Sequence, residues 1–488
     1  MKAPPRDHPK MRSVPLLLAA FTASARAYSP NILPSHPATT VVAADPAAAP
    51  VPRYRGRRRS SQPCAVAEVM APQPEAPEPV PPALADQAEV GVLLLNLGGP
   101  DTLDNVEPFL YNLFADPEII TLPSFLGWAN PIIAWLIAKS RAPQSREGYE
   151  TVVERVGCTS PQLPTTEKQG ELLTAALKER GVNAKYYIAM RYWKPFTEEA
   201  LEAIKADGIE KLVVLPLYPQ FSISTSGSSL RLLEREFYAD QSLRQVRNVV
   251  IPAWYNREGY VNSLARTIMQ KCDLSEDPSE PHVFFSAHGL PKKYIESLAD
   301  PYKTQTEATV AFVMNRMRQL GYTNPHSLAY QSRVGPVEWL QPYTEDSIKE
   351  LAESGVQNLV VVPISFVSDH IETIEEIDVE YYELAMESGI KRWERTPTLG
   401  TDAEFIEDLA EAVVEVLPVL EEAPKSDINE GRPVSLRVVN DLVQLRGKEE
   451  EIEYGPVRYE VSEPPPHLFG RTLCASLHLC TQTHLTHT

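Results

Sequence analysis

The chain has 488 residues, 43% of them hydrophobic, enough to bury the cores of two ordinary domains and leave tails. Its formal net charge of −19 excludes generic nucleic-acid binding, which needs a basic footprint. The five cysteines, Cys64, Cys158, Cys272, Cys474 and Cys480, include no C-x-x-C pair and suggest no disulfide framework.

In chain order, the acidic average first hides a basic leader. Residues 1–67 carry ten Lys/Arg against only Asp7 and Asp45, and they are rich in Ala, Ser and Pro. That composition is expected of an organelle transit peptide, with a disordered basic arm as the alternative. The apolar stretch Val14–Ala23 is too short to span a bilayer and contains Pro15. Residues 68–89 read as a Pro/Ala-rich linker, including Pro74–Pro82. Order is expected from Val90, with a strand over Val90–Leu97 closed by Gly98-Gly99-Pro100-Asp101. Two α/β domains follow, over 90–262 and 263–420, and residues 421–488 form an acidic, Pro-containing tail, mostly disordered. The last ordered helix is expected over Asp402–Leu417, with Phe405, Leu409 and Val413 on one face.

Leu122–Ala138 is apolar, contains Trp128 and Trp135, and is followed by Lys139 and Arg141. It is too polar and Pro-interrupted to cross a membrane. An interfacial segment, an apolar lip and a core helix all fit it.

An internal repeat ties the two domains together. Pro195-Phe196-Thr197-Glu198-Glu199 opens a helix that ends at Gly208, followed by Leu212–Tyr218. Pro342-Tyr343-Thr344-Glu345-Asp346 opens another that ends at Gly355, followed by Leu359–Ser365. The gap-free offset of 147 carries eight identities. In each copy the Thr is the expected N-cap, the acids complement the helix dipole, and the Gly is the C-cap. Alternating helix and strand makes each half a parallel-sheet α/β unit, with a cleft between the two.

Two strand ends carry ionisable residues. The run His282–Ala287 stops at His288, and the run Asn358–Val367 stops at Ser368-Asp369-His370-Ile371-Glu372. Open α/β sheets place ligand chemistry beyond such ends. One imidazole and one carboxylate meeting there fit a metal site, a proton shuttle or both. Glu372, Glu376 and Glu380 follow at four-residue spacing and are expected on one helix face. They are either a solvated acidic face or a cleft-lining ladder for cations and protons. Ser222–Ser229 fits an anion loop or simple capping, and it lacks the Gly-Lys-Ser/Thr of a P-loop.

These residues also carry a resemblance. Leu95-Asn96-Leu97-Gly98-Gly99-Pro100, Arg191-Tyr192, Leu217-Tyr218-Pro219-Gln220-Phe221-Ser222, Phe285–Pro291, Gln331–Pro336 with Trp339, and Ser368–Thr373 are similar, in this order, to the motifs of ferrochelatases. The resemblance covers about Val90–Leu417, and its plant-type members are chloroplast precursors. It implies two Rossmann-like (chelatase class II) domains related by duplication. It also implies a lyase that inserts Fe2+ into protoporphyrin IX as the terminal step of haem synthesis. By resemblance His288 and Glu372 are the catalytic pair. His288, Glu372, Glu376 and Glu380 handle the metal. Leu97, Arg191, Tyr192, Ser222, Trp339, Asp369 and His370 line the porphyrin pocket. Leu122–Ala138 becomes the apolar lip and a peripheral contact with thylakoid or envelope membrane, with the mitochondrion as the alternative compartment. Fe2+ enters as substrate, with no tightly bound cofactor. With only Cys474 and Cys480 near the end, no iron–sulfur cluster is expected, and the tail lacks the light-harvesting-like helix of some plant relatives. A homodimer is compatible with this reading.

One segment departs from the family. Where a Gly-Gly-Gly-Ser-Pro run is expected, the chain has Val156-Gly157-Cys158-Thr159-Ser160-Pro161. It motivates an alternative, a catalytically impaired tetrapyrrole-binding protein of the same fold. A related chelatase taking Co2+ and a more polar tetrapyrrole fits the apolar lip less well.

Overall fold

The computed structural model describes residues 88–120, 124–333, 337–423 and 425. The expected transit segment, nearly all of the linker and most of the tail lie outside them. The elements run β1 (Val90–Asn96), α1 (Val106–Ala115), α2 (Asn130–Val156), α3 (Gln162–Glu179), β2 (Ala184–Met190), α4 (Thr197–Ala206), β3 (Lys211–Pro216), α5 (Ser228–Ala239), β4 (Arg247–Val250) and α6 (Glu258–Cys272). They continue with β5 (His282–His288), α7 (Lys292–Glu296), α8 (Tyr302–Gln319), β6 (His326–Gln331), α9 (Thr344–Glu353), β7 (Asn358–Pro363), α10 (Tyr382–Ser388), β8 (Arg392–Arg395) and α11 (Ala403–Glu421).

The strands form two four-stranded sheets of the same order, β2-β1-β3-β4 and β6-β5-β7-β8. Every pairing is parallel. The sequence dictates this arrangement through continuous burial. All of β1 is buried, as is β7 after its first residue. Strands that are apolar on both faces need helices on both sides, and parallel crossover connections supply them.

The duplication holds at element level. Both ends of α4 and β3 lie 147 positions before the ends of α9 and β7. The expected caps need one correction. The N-cap residues are Phe196 and Tyr343, and Thr197 and Thr344 are the buried first helical residues. The reason is backbone pairing. Met190 donates its N–H to Pro195 O and Tyr330 donates to Pro342 O, so the chain stays extended one residue longer. The Glu199 carboxylate then receives the Phe196 N–H at 2.7 Å. Gly208 and Gly355 sit just past the helix ends with φ of +68° and +94°, the left-handed conformation that glycine adopts without strain.

α11 begins at Asp402, whose side chain accepts from Phe405 N, and continues through Pro418 to Glu421, past the expected end at Leu417. Pro418 falls in the last turn, where the loss of one backbone donor is tolerated. This helix packs back against α3 and α6 of the first sheet. It sets the Phe405 ring 5.4 Å from Trp254, and Trp254 meets Tyr260 edge-on at 5.1 Å. One core therefore runs continuously through both sheets. Cys272 is a buried free thiol within it, its pKa pushed up to about 12 by burial and the neighbouring Asp273.

An ion network closes the seam between α6 and α11. The Arg257 side chain is 4% exposed and donates to Asp408 Oδ1 at 2.9 Å and to Glu415 Oε2 at 2.8 Å. Asp408 Oδ2 also accepts the Tyr260 N–H at 3.0 Å. Removing the cation leaves Asp408 buried beside a cavity without its counter-charge. Arg257→Ala is expected to cost about 3–5 kcal/mol in urea unfolding; a cost under about 1 kcal/mol would mean that backbone donors alone satisfy Asp408.

Candidate active site

In a doubly wound sheet the ligand crevice lies beyond the strand carboxyl ends, where the winding direction reverses. In the second sheet the chain goes from β5 to β6 on one side and then to β7 on the other, so the reversal falls between β5 and β7. His288 is the last residue of β5, and Glu372 follows β7 after the loop 364–371. The two meet there. His288 Nδ1 lies 2.8 Å from Glu372 Oε2, with the side chains 31% and 18% exposed. Gly289 makes room for this strand end. A Cβ at residue 289 would come within 2.5 Å of Gln331 O and 3.3 Å of the Trp339 ring.

Below the raised pKa of His288 the two form an ion pair. Burial alone would lower the pKa of His288, but the Glu372 charge and hydrogen bond outweigh it and raise it above 6.5. Burial likewise works to raise Glu372, and the imidazole overrides it and holds the carboxyl at about 2. Gln331 stands opposite His288 in the β5–β6 register. Its amide donates to Glu372 Oε2 at 3.3 Å and to Glu376 Oε2 at 3.5 Å. Ser286 Oγ donates to Gln331 Oε1 and fixes the amide orientation. Ser332 Oγ donates to Glu376 Oε2 at 2.7 Å.

The acidic run is helical, as expected, but over Glu372–Tyr381 it is wound as a π-helix. Such i→i+5 winding is rare and tends to occur at functional sites. Ile374 and Ile377 face the core. The wider turn aligns residues five apart and adds Glu375, hydrogen-bonded to Glu380, to the expected ladder. Burial, reinforced by the Glu372 charge, lifts Glu376 well above the carboxylate range. Burial and Glu380 push Glu375 to about 7. Glu380 is exposed. The result is a file of carboxyls from inner Glu372, with its depressed pKa, through Glu376 and Glu375, with raised ones, to solvent. Among the described residues no three His, Cys, Asp or Glu side chains gather into one ligand set. His288, Glu372, Glu376 and Glu380 are thus a file, not a single coordination sphere.

The other expected site residues fall into separate groups. His370 is buried beside the pair. Its Nδ1 accepts the Glu372 N–H at 3.2 Å, its Nε2 has no protein partner, and the Phe366 ring lies 4.0 Å away. Burial lowers its pKa and keeps it neutral. Leu97 packs with Tyr192, Tyr149 and Ile371 in one apolar cluster, which joins the end of β1 to the residue before Glu372. Arg191 and Tyr192 are anchored on buried Asp116, at 2.9 and 2.7 Å, and Arg191 Nε also donates to Ser228 Oγ at 2.7 Å. The Ser222 hydroxyl donates to Asp300 Oδ2 at 2.9 Å, so it is committed to shaping its loop. Asp369 pairs with Arg395 at 3.1 Å, and Trp339 is half-buried over Gly289. In the departing segment, Gly157 caps α2 with φ +81° and Thr159 is buried.

The apolar segment forms a short 3-10 turn over Ser124–Ala129 and the start of α2. Trp128, Ile132, Trp135 and Leu136 are 73%, 55%, 46% and 41% exposed, and Lys139 Nζ lies 5.1 Å over the Trp135 ring. This is a lip rather than a core helix. Among the described residues no helix is long and apolar enough to cross a membrane.

The sequence reading assigned no role to Gln331, Ser332, Glu375, Asp116, Tyr302 or Ser365. Gln331 ends the strand beside that of His288 and Ser332 follows it, a signal that was present. The others become partners only through tertiary contacts.

Duplicated parallel sheets, with an imidazole–carboxylate pair at the second sheet's switch point and a carboxyl file leading away, define a two-domain α/β protein equipped for proton and cation chemistry. The family model for ferrochelatase matches residues 89–417. The chain belongs to the ferrochelatase family. It is 57% identical over 335 residues to Ferrochelatase-2, chloroplastic, of Arabidopsis thaliana, covering 69% of this chain and 65% of that protein. It is 53% identical over 361 residues to Ferrochelatase-2, chloroplastic, of Oryza sativa subsp. indica, covering 74% and 68%. It is 56% identical over 328 residues to a ferrochelatase of Synechococcus elongatus, covering 67% and 82%. The chain thus spans about two-thirds of the length of the plant relatives. A solved sirohydrochlorin chelatase of Bacillus subtilis in complex with cobalt matches at 12% identity and a TM-score of 0.40, covering 68% of this chain and 97% of that one, too slight a likeness to bear on function.

The ion pair makes a pH signature. Glu372 is depressed from 4.5 to about 2, so its contribution to stability is present above pH 4.5 and is lost as pH falls toward 2. His288 is raised above 6.5, so its contribution is complete below 6.5 and is lost as pH rises through the folded-state value. Urea unfolding should therefore show the pair at full strength between pH 4.5 and 6.5, and Glu372→Gln should remove stability chiefly in that window. An equal loss at pH 9 would contradict the pairing.

Proposed function

We propose that this chain inserts Fe2+ into protoporphyrin IX to form protohaem, with release of two protons, in the chloroplast. The observation that carries the reading is the His288–Glu372 pair at the switch point with the carboxyl file behind it. Family membership and the chloroplastic names of its plant relatives support it. The catalytic unit lies between residues 90 and 420, as domains 90–262 and 263–420, and residues 1–67 are its transit peptide.

A flat macrocycle must bend to turn its nitrogen lone pairs toward an incoming metal, and rigid apolar walls such as Leu97 and Trp339 hold it bent. Nδ1 of His288 is committed to Glu372, so Nε2 is the nitrogen that takes a pyrrole proton. The imidazolium that forms is stabilised by Glu372, the Gln331 amide keeps that carboxylate in place, and His370 holds the Glu372 backbone. Glu376, Glu375 and Glu380 pass protons toward solvent or admit the metal weakly enough for it to move on. Arg191, with spare guanidinium donors, suits a propionate, and Tyr192, Ser222, Asp369 and His370 shape the pocket around it. Trp128, Ile132, Trp135 and Leu136 with Lys139 suit a bilayer interface, from which an apolar porphyrin is delivered.

Loss of porphyrin fluorescence on Fe2+ insertion, or its shift to the emission of the zinc porphyrin on Zn2+ insertion, by protein starting near Val90 tests the reading. Porphyrin binding without any turnover would sink it. His288→Ala should lower kcat at least about 100-fold, the usual minimum for a general base, with porphyrin affinity nearly unchanged. The wild-type rate should climb with pH through a value above 6.5, because only neutral imidazole accepts a proton. Glu372→Gln should move that limb to lower pH, and an unmoved limb would remove His288 from the role.

A further inference from the structure

The imidazole of His288 is held by Glu372, but its main chain is held by a separate device. The His288 N–H donates to Ser365 Oγ at 2.9 Å. Ser365 Oγ lies 2.7 Å from the Tyr302 hydroxyl, and the Tyr302 hydroxyl donates to His288 O at 2.9 Å. One hydroxyl proton cannot serve two acceptors, which assigns the directions. Ser365 donates to Tyr302, Tyr302 donates to the His288 carbonyl, and the His288 N–H returns to Ser365. This is a closed ring of three hydrogen bonds around the backbone of one residue, with every donor used once. Tyr302 and Ser365 are both 6% exposed, so water does not compete for it.

The ring is anchored at a distance. Tyr302 opens α8, and its N–H donates to Asp300 Oδ1 at 3.0 Å. The other oxygen of Asp300 receives the Ile223 N–H at 2.8 Å and the Ser222 hydroxyl at 2.9 Å. Buried Asp300 therefore ties the serine loop after β3 to the helix that bears Tyr302. Ser365 itself lies just beyond β7, whereas His288 ends β5. Three separate segments converge on the residue at the sheet's switch point.

We propose that Tyr302 and Ser365 are positioning residues for His288, fixing its main chain so that Nε2 is presented to the porphyrin nitrogens, with Asp300 as the anchor that sets Tyr302. The proposal rests on the reading above for its kinetic arm only. Neither residue touches the reacting atoms; both act through the orientation of His288.

Tyr302→Phe and Ser365→Ala each delete one hydroxyl and leave the ring or Cβ in place, so the fold is retained. Ser365→Thr restores the hydroxyl. In the full chain, Tyr302→Phe and Ser365→Ala should lower kcat for Zn2+ insertion about tenfold or more, since small misplacements of a reacting group are costly. The porphyrin KM should stay within about twofold, and Ser365→Thr should recover part of the loss. The second readout is the low-field proton on His288 Nδ1 shared with Glu372, observed by NMR on 15N-histidine protein and assigned by its absence in His288→Ala. It should broaden or shift in both deletion variants. A kcat within twofold of wild type together with an unmoved low-field proton would reduce both residues to core packing and overturn the proposal. If wild-type protein inserts no metal, the function fails and the proton signal alone decides the positioning role. A signal unmoved in both variants would then overturn it too.

Discussion

The hydrogen bond between His288 and Glu372 depends on two strand ends being held in fixed relation, and much of the second half of the molecule serves that end. An imidazolium and a carboxylate that are each largely desolvated must face one another closely, or each becomes a buried charge without compensation. The parallel register of β5 against β6 and β7 sets the spacing. The ring through Ser365 and Tyr302 sets the angle from one side, and the Gln331 amide holds the carboxylate from the other. His370 sits beneath as a neutral acceptor for the Glu372 backbone.

Desolvation also explains why the carboxyls beyond Glu372 differ in charge although they are alike in chemistry. The inner one has a cation to pair with and stays ionised. Glu376 has only hydroxyl and amide donors and negative neighbours, so no cation opposes the burial that raises its pKa. Glu375 shares its surroundings with Glu380 and sits near neutrality. The π-winding over Glu372–Tyr381 brings Glu375 onto Glu380, five residues on, and so adds it to this gradient.

The duplication supplied a scaffold twice, and the two copies use it differently. The first half ends β1 at Asn96, whose amide donates to Thr166, where the second half ends β5 at His288. In the first half Asp116 fixes Arg191 and Tyr192, and Asp300 of the second half reaches back to fix the serine loop. α11 then closes both halves around a single core through the Arg257–Asp408 pair. A site at one strand end of one sheet can be rigid because the other sheet buttresses it.

The parallel-sheet class, the 147-residue repeat and the two ionisable strand ends were legible in the sequence, because they rest on local signals: uninterrupted apolar runs, glycine stops and residue order. His288 and Glu372 could be paired by position alone, since strand ends at a switch point must meet. The helix caps were misread by one residue, because pairing of the preceding prolines to neighbouring strands overrides the local preference of threonine. Glu375, Asp116, Tyr302 and Ser365 could not be read from sequence at all. A tyrosine at a helix start and a serine after a strand look the same whether they face solvent or close a hydrogen-bond ring, and the charge of a carboxyl depends on neighbours that only folding brings near. The sequence by itself determined which chemistry was available and on which elements. Tertiary structure decided which groups are charged and which hold others in place, because both depend on burial and on contacts between segments far apart in the chain.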